Sequence, residues 1–182
     1  MNPRIVHILM AVALVAMAAP ADAQIGPVRL KVTRVNKEAR VLASRTADGA
    51  REEQLVDRVY YKGELTNTSS APVRNVVVKW AILVRPHSTT NLSVVEGEYT
   101  CSLALGERSG FDTDIIELTG TRTRSTETGS RSDTKSRIVG YAVEVYVGDR
   151  RMAWEADPQD TMRRIEDMKQ AQEPPPPGTH RF

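Results

Sequence analysis

Few side chains in this 182-residue chain have types and spacings that could do chemistry. A serine nucleophile needs a histidine base, and downstream of the N-terminal apolar run the histidines are His87 and His180. His87 follows Arg85-Pro86 in a predicted turn, His180 lies in a proline-rich tail, and no G-x-S-x-G turn is present. Carboxylates come in pairs at Asp112/Asp114, Glu52/Glu53 and Glu166/Asp167. Asp112 and Asp114 are the most site-like, because residues i and i+2 of a strand point to one face. An exposed acidic strand edge nevertheless accounts for them far better than an acid/base pair. The spacing and glycine of an EF-hand loop are missing, and one cysteine with scattered histidines serves zinc poorly. We therefore expect no catalytic residue, no metal site and no cofactor.

Binding chemistry is better represented. Residues 119–136 hold ten serines and threonines and no apolar side chain. Over 119–137, Arg122, Arg124, Arg131, Lys135 and Arg137 face Glu127 and Asp133, a local charge of +3. Such a segment reads as a solvated hairpin loop that could instead meet an acidic partner: an anionic polysaccharide, a phospholipid surface or another protein. No aromatic residue interleaves with the arginines, so nucleic acid is not an expected partner. A second candidate surface is the thin stripe Met162, Ile165 and Met168 on a charged C-terminal helix. Exposed tryptophans could stack on sugars, but Trp80 alternates with Val78 and Ile82 and is expected to face a core, with Trp154 nearer an edge. Cys101 reads as a small buried hydrophobe sharing a face with Tyr99, Leu103 and Leu105.

The elements that must position these residues are mostly strands. The N-terminus carries Arg4, an apolar run from Ile8 to Ala19, and a small-x-small site at Ala21-Asp22-Ala23. That pattern predicts a signal peptide over 1–23 cut after Ala23, a periplasmic or secreted domain, and no membrane span after cleavage. The remaining 159 residues can build one core, and a formal charge of +2 gives no global pull toward polyanions. "VRLKVTRVN" (28–36) alternates with the period of a half-buried strand. "EARVLAS" is expected to add a short piece before a charged link, "RTADGAREEQ". Val59, Tyr61 and Leu65 share a face in the next strand, and "VRNVVVKWAILVR" is apolar on both faces, as a central strand requires. Further strands follow to "YAVEVYVGDRRMAWEAD", with a tight turn at Gly148-Asp149. Asp157 and Pro158 are read as the start of a helix over 157–171, followed by a disordered tail over 172–182.

About seven short strands with regular turn signals predict an all-β fold: one antiparallel immunoglobulin-like sandwich over 24–156. Gly63-x-Leu65-x-Asn67-x-Ser69, then Val76-x-Val78 and the apolar run to Leu83, resembles the bacterial exported FxLYD-like and fibronectin type III-like module. "LALGERSGFDT" (103–113) is similar to its later segment, and the likeness covers roughly residues 58–147. The acid that commonly ends the second strand is absent, since Arg85 follows Val84. The resemblance implies an extracytoplasmic binding or spacing unit without catalytic residues; on it Tyr141 would be a tyrosine-corner residue. The resulting expectation is a non-catalytic exported protein with a protein partner in the cell envelope. The alternative is a carbohydrate-binding module for envelope or matrix glycans.

Overall fold

A computed structural model describes residues 26–37 and 39–172; the expected signal peptide, the proline-rich tail and His180 lie outside them. Among these residues the fold is mostly β: ten strands in two antiparallel sheets with one C-terminal helix. The strands are β1 (Val28–Asn36), β2 (Arg40–Ala47), β3 (Ala50–Asn67), β4 (Val73–Arg85), β5 (Ser93–Leu103), β6 (Arg108–Asp112), β7 (Ile116–Ser125), β8 (Arg131–Lys135), β9 (Arg137–Val147) and β10 (Arg150–Asp157), followed by α1 (Thr161–Gln172). One sheet runs β1-β3-β7-β8, with β2 and β6 also paired to β3; the other runs β10-β9-β4-β5. Ten strands replace the seven expected, because two segments read as link and loop form hairpins.

The core lies between the sheets. From the first come Val28, Leu30, Val59, Tyr61 and Leu65; from the second Val76, Val78, Trp80, Ile82, Val143 and Val145. The both-face burial expected of β4 is present, since Leu83 on its outer side is fully buried beneath the helix. Each large apolar side chain taken out of water contributes about 1.5–3 kcal/mol, so this cluster supplies most of the driving force for folding.

The glycine motif has a steric cause. A Cβ on Gly63 would sit 2.0 Å from the Phe111 ring, and one on Gly97 would sit 2.3 Å from the Trp80 ring. Each aromatic therefore lies flat across a glycine of the neighbouring strand in its own sheet. Trp80 and Phe111 then stack across the core at 5.8 Å, and Tyr99 stacks on Phe111 at the same distance. Asn67 completes the motif: it is 2% exposed, and its amide donates to the carbonyls of Ala71 (2.8 Å) and Ala104 (2.9 Å). Its Oδ1 accepts from the amide and hydroxyl of Ser69 (2.9 and 2.7 Å), so one side chain fixes two turns.

The sheets also meet along one side. Glu155 of β10 accepts from the backbone amide of Val32 (3.0 Å) and from the Tyr141 hydroxyl (2.7 Å), with the Tyr141 and Tyr61 rings 4.5 Å apart. Tyr141 is thus bonded to a carboxylate and not to upstream backbone, which corrects its tyrosine-corner assignment. Burial and this carboxylate raise its pKa far above that of free tyrosine.

The helix begins later than expected. Asp157 remains in β10, paired with Tyr141, and the Asp160 carbonyl accepts the first helical bond from Arg164 (3.1 Å). The β9–β10 ladder keeps Asp157 in β10, four residues before Thr161, too far from the helix to cap it. The β5 face also ends at Leu103, leaving Leu105 63% exposed in the following turn.

Two glycine substitutions separate packing from propensity. Gly97→Ala should lower stability by about 1–3 kcal/mol, because the new methyl collides with Trp80. Gly110→Ala, whose Cβ would meet only the Gly63 carbonyl at 3.7 Å, should change it by less than about 0.5 kcal/mol. Equal urea midpoints for the two variants would show that the ring-over-glycine contact does not constrain the core.

Candidate functional site: a two-faced β wing

The long strand β3 explains where the expected basic loop goes. Its second half, from Val59, pairs with β1 on one edge and β6 on the other. Its first half pairs with β2 and β7, and β7 in turn pairs with β8. These distal segments make a four-stranded wing in which β2 and β8 are exposed at every residue. The supposed link "RTADGAREEQ" is the β2–β3 hairpin. Asp48 and Gly49 both have positive φ (49° and 70°) between the paired residues Ala47 and Ala50. Asp-Gly is the sequence signature of such a two-residue turn, and it was the signal that could have revealed the wing. The β7–β8 turn closes against it: Thr126 donates from both its amide (2.7 Å) and its hydroxyl (2.6 Å) to the Gly49 carbonyl.

Register sorts the wing into two faces, since directly opposed residues share one. One face carries Thr121, Thr123 and Ser125 of β7 beside Ser132 and Thr134 of β8. Glu52 and, opposite it, Arg45 of β2 also lie on that face; the other carries a denser set of charges. Arg51, Arg124 and Arg131 lie in one row, and Glu53, Arg122 and Asp133 in the next. Glu53 pairs with Arg51 (3.0 Å) and Arg122 (3.4 Å), and Asp133 with Arg122 (3.3 Å) and Arg131. Lys135 pairs with Asp57. Of the five cations expected to bind a partner, Arg122, Arg131 and Lys135 are therefore engaged within the wing. Arg124 and Arg137 form no ion pair among the described residues. The hydrogen bond from Arg131 holds the Asp133 carboxyl below its ordinary 3.8.

Where the wing joins the sandwich, a cleft of about 610 Å³ is lined by Arg34, Asp57, Asp133, Lys135 and Arg137 among others. Within it Asp57 pairs with Lys135, whereas Asp133 is held by Arg122 and Arg131 from outside the lining. Arg34, Lys37 and Arg137 form no ion pair among the described residues, so the lining is basic on balance.

The remaining candidates are placed as follows. Ile165 is 5% exposed, and with Met162 and Met168 it packs on Leu83 and Ala142 of the outer face of the second sheet. That stripe is the seal of a second small core. Trp80 is 8% exposed inside the sandwich, as expected, and Trp154 is half-buried beneath the Arg151 guanidinium at 6.0 Å. Cys101 is half-buried, and burial pushes its thiol pKa up, away from reactivity. His87 Nδ1 lies 3.4 Å from the buried Ser136 hydroxyl, whose oxygen also accepts from the His87 backbone amide (3.1 Å). Asp112 and Asp114 are both exposed, on either side of the buried Thr113, whose hydroxyl accepts from the Tyr61 amide (2.9 Å). Among the described residues, no three His, Cys, Asp or Glu side chains cluster to hold a metal, and no helix is long and apolar enough to cross a membrane.

No family model and no curated protein matches the chain. Solved structures overlay it loosely. Structural-genomics target SoR45 is 10% identical over 62% of this chain and 83% of its own, with a TM-score of 0.29. A protein from Akkermansia muciniphila is 12% identical over 81% and 78%, with a TM-score of 0.29. The E. coli curli protein CsgC is 10% identical over 59% and 97%, with a TM-score of 0.19. Overlays this loose carry no argument about fold or activity.

The charge ladder makes wing order depend on pH. The folded pKa of Asp133 is depressed, so its contribution is present above the unfolded value near 3.8 and is lost as pH falls through the folded value. Protection factors for amides of residues 125–131 should drop in that acid window while those of Val78 and Val143 persist. Asp133→Asn should lower tip protection already at pH 7 and flatten the acid step. An unchanged profile in the variant would mean that the ladder does not order the tip.

Proposed function

We propose that this chain is an exported, non-catalytic protein that binds a protein partner in the cell envelope through its wing. The observation that supports this reading is the wing itself. A sheet exposed on its outer strands, with no sandwich partner over its tip, adds little to a hydrophobic core and much to the accessible surface. The immunoglobulin-like and FxLYD-like kinship belongs to the same proposal and rests on the Gly63–Ser69 motif. Export rests on the N-terminal pattern.

Two features weigh against the carbohydrate-binding alternative. Such a site needs an exposed aromatic platform, whereas Trp80 is enclosed and Trp154 is half-buried under an arginine. An anionic polysaccharide would have to displace Glu53, Asp57 and Asp133 from cations they already satisfy. The docked helix offers no free apolar stripe, so the contacts are assigned to the wing.

The test shortens both hairpins at paired residues, joining Val41 to Leu55 and Gly120 to Lys135 through two-residue Asn-Gly turns. Affinity capture from the exported fraction should recover a protein partner with the full chain and lose it with the shortened one. Trp emission should stay blue and insensitive to envelope glycans in both. Equal capture by the shortened chain, or an emission shift on adding glycan, would sink the reading.

A further inference from the structure

Strand edges, more than faces, are what the wing leaves unpartnered, and they differ in kind. Outer strands present unpaired backbone donors and acceptors, and natural sheets guard them with charges, bulges or cover. On β1 the amide of Val32 is occupied by the Glu155 carboxylate. On β8 every second residue is charged, Arg131, Asp133 and Lys135, and a lysine on an edge is a common guard. Over its centre β2 is guarded by a bulge alone. Its stretch Val41-Leu42-Ala43-Ser44 carries no charge, and Val41 and Leu42 are 54% and 65% exposed. A bulge between Val41 and Ala43 interrupts the ladder to β3 without covering the outer side.

The β2 edge also has a directional chemistry. Arg40 and Arg45 bracket the apolar stretch, the strand contains no acid, and neither arginine forms an ion pair among the described residues. From the two-residue turn at Asp48-Gly49, the pair Ala47–Ala50 is the hydrogen-bonded one. Alternation then aims the backbone N–H and C=O of Ser44 and Thr46 away from β3.

We propose that β2 receives an added strand from a protein partner: an extended segment with an apolar centre and acidic residues on both sides. Backbone pairing to Ser44 and Thr46 supplies the ladder. Val41 and Leu42 meet the apolar centre, and Arg40 and Arg45 select the flanking acids. A second copy of this chain pairing through β2 itself would set arginine against uncharged or basic residues, so charge favours a different protein. This inference rests on the wing being the binding region.

The probe is a fluorescein-labelled peptide, Thr-Glu-Val-Thr-Val-Val-Glu-Thr, titrated against the full chain and read by anisotropy. Its counterpart has both glutamates replaced by lysine. The acidic peptide should bind saturably and at least tenfold more tightly than the basic one. Arg40→Glu with Arg45→Glu should reverse the preference. Ser44→Pro removes an outward N–H without touching the ladder to β3, and should abolish binding with the thermal midpoint unchanged. Leu42→Ser, which leaves the backbone edge intact, should weaken binding five- to tenfold. Equal affinity for the two peptides, no saturable binding by either, or binding that survives Ser44→Pro would overturn the proposal. Self-association of the full chain lost in Ser44→Pro would overturn it too, by giving the edge to a second copy. If the peptides fail while the shortened-wing chain still loses its captured partner, this inference falls and the wing reading stands. If capture is also unaffected, both fall.

Discussion

Almost every part of the larger sheet hangs on one strand. β3 runs for 18 residues, roughly 60 Å at about 3.3 Å per residue, and pairs directly with β1, β2, β6 and β7. Only β8 reaches the sheet without touching it. That strand must satisfy two solvents at once. From Val59 onward its odd-numbered residues enter the core, and before Asp57 the same face turns from apolar to charged. The transition along one face, Val59, Asp57, Leu55, Glu53, Arg51, marks where the second sheet ends and the wing begins.

The sandwich half is held by shape as much as by apolar area. Two glycines, Gly63 and Gly97, exist so that Phe111 and Trp80 can lie flat across their strands and stack with each other. Asn67 then closes the polar turns that this packing brings together. On the open side, Glu155 joins an amide of one sheet to a hydroxyl of the other, so the two layers are linked by more than side-chain contact. The helix performs the same service for the outer face of β4 and β9, where Leu83 and Ala142 would otherwise meet water.

The wing has no such core, and its stability is of a different kind. Exposed ion pairs contribute little one at a time. Here they are shared: Glu53 serves two arginines and so does Asp133, across three adjacent strands. The tip is tied by two donors of Thr126 on one carbonyl. This arrangement uses up most of the cations that a basic segment would otherwise present, and it shifts the available recognition surface from charge to the open edge of β2.

Much of the sandwich was legible in the sequence because period-two alternation is a local signal. Val59, Tyr61 and Leu65, the two-faced β4, the inward Trp80 and the Gly148 turn all follow from it. The wing was hidden for the opposite reason: without a buried face, its strands carry no hydrophobic period, and residues 119–136 and "RTADGAREEQ" look like solvated chain. Only Asp48-Gly49 marked the hairpin locally. The candidate site fared likewise, since composition gave the cations but only register could show that Arg122 faces Glu53 and Asp133 on the strands to either side and that Lys135 meets Asp57 two strands away. The sequence by itself determined a mostly β chain, much of its core and the presence of a final helix, since strand alternation and helical spacing act between near neighbours. The tertiary structure alone decided which cations are spent, which stripe is sealed and which edge stays open, because those depend on partners far apart in the chain, such as Lys135 with Asp57 and Ile165 with Leu83.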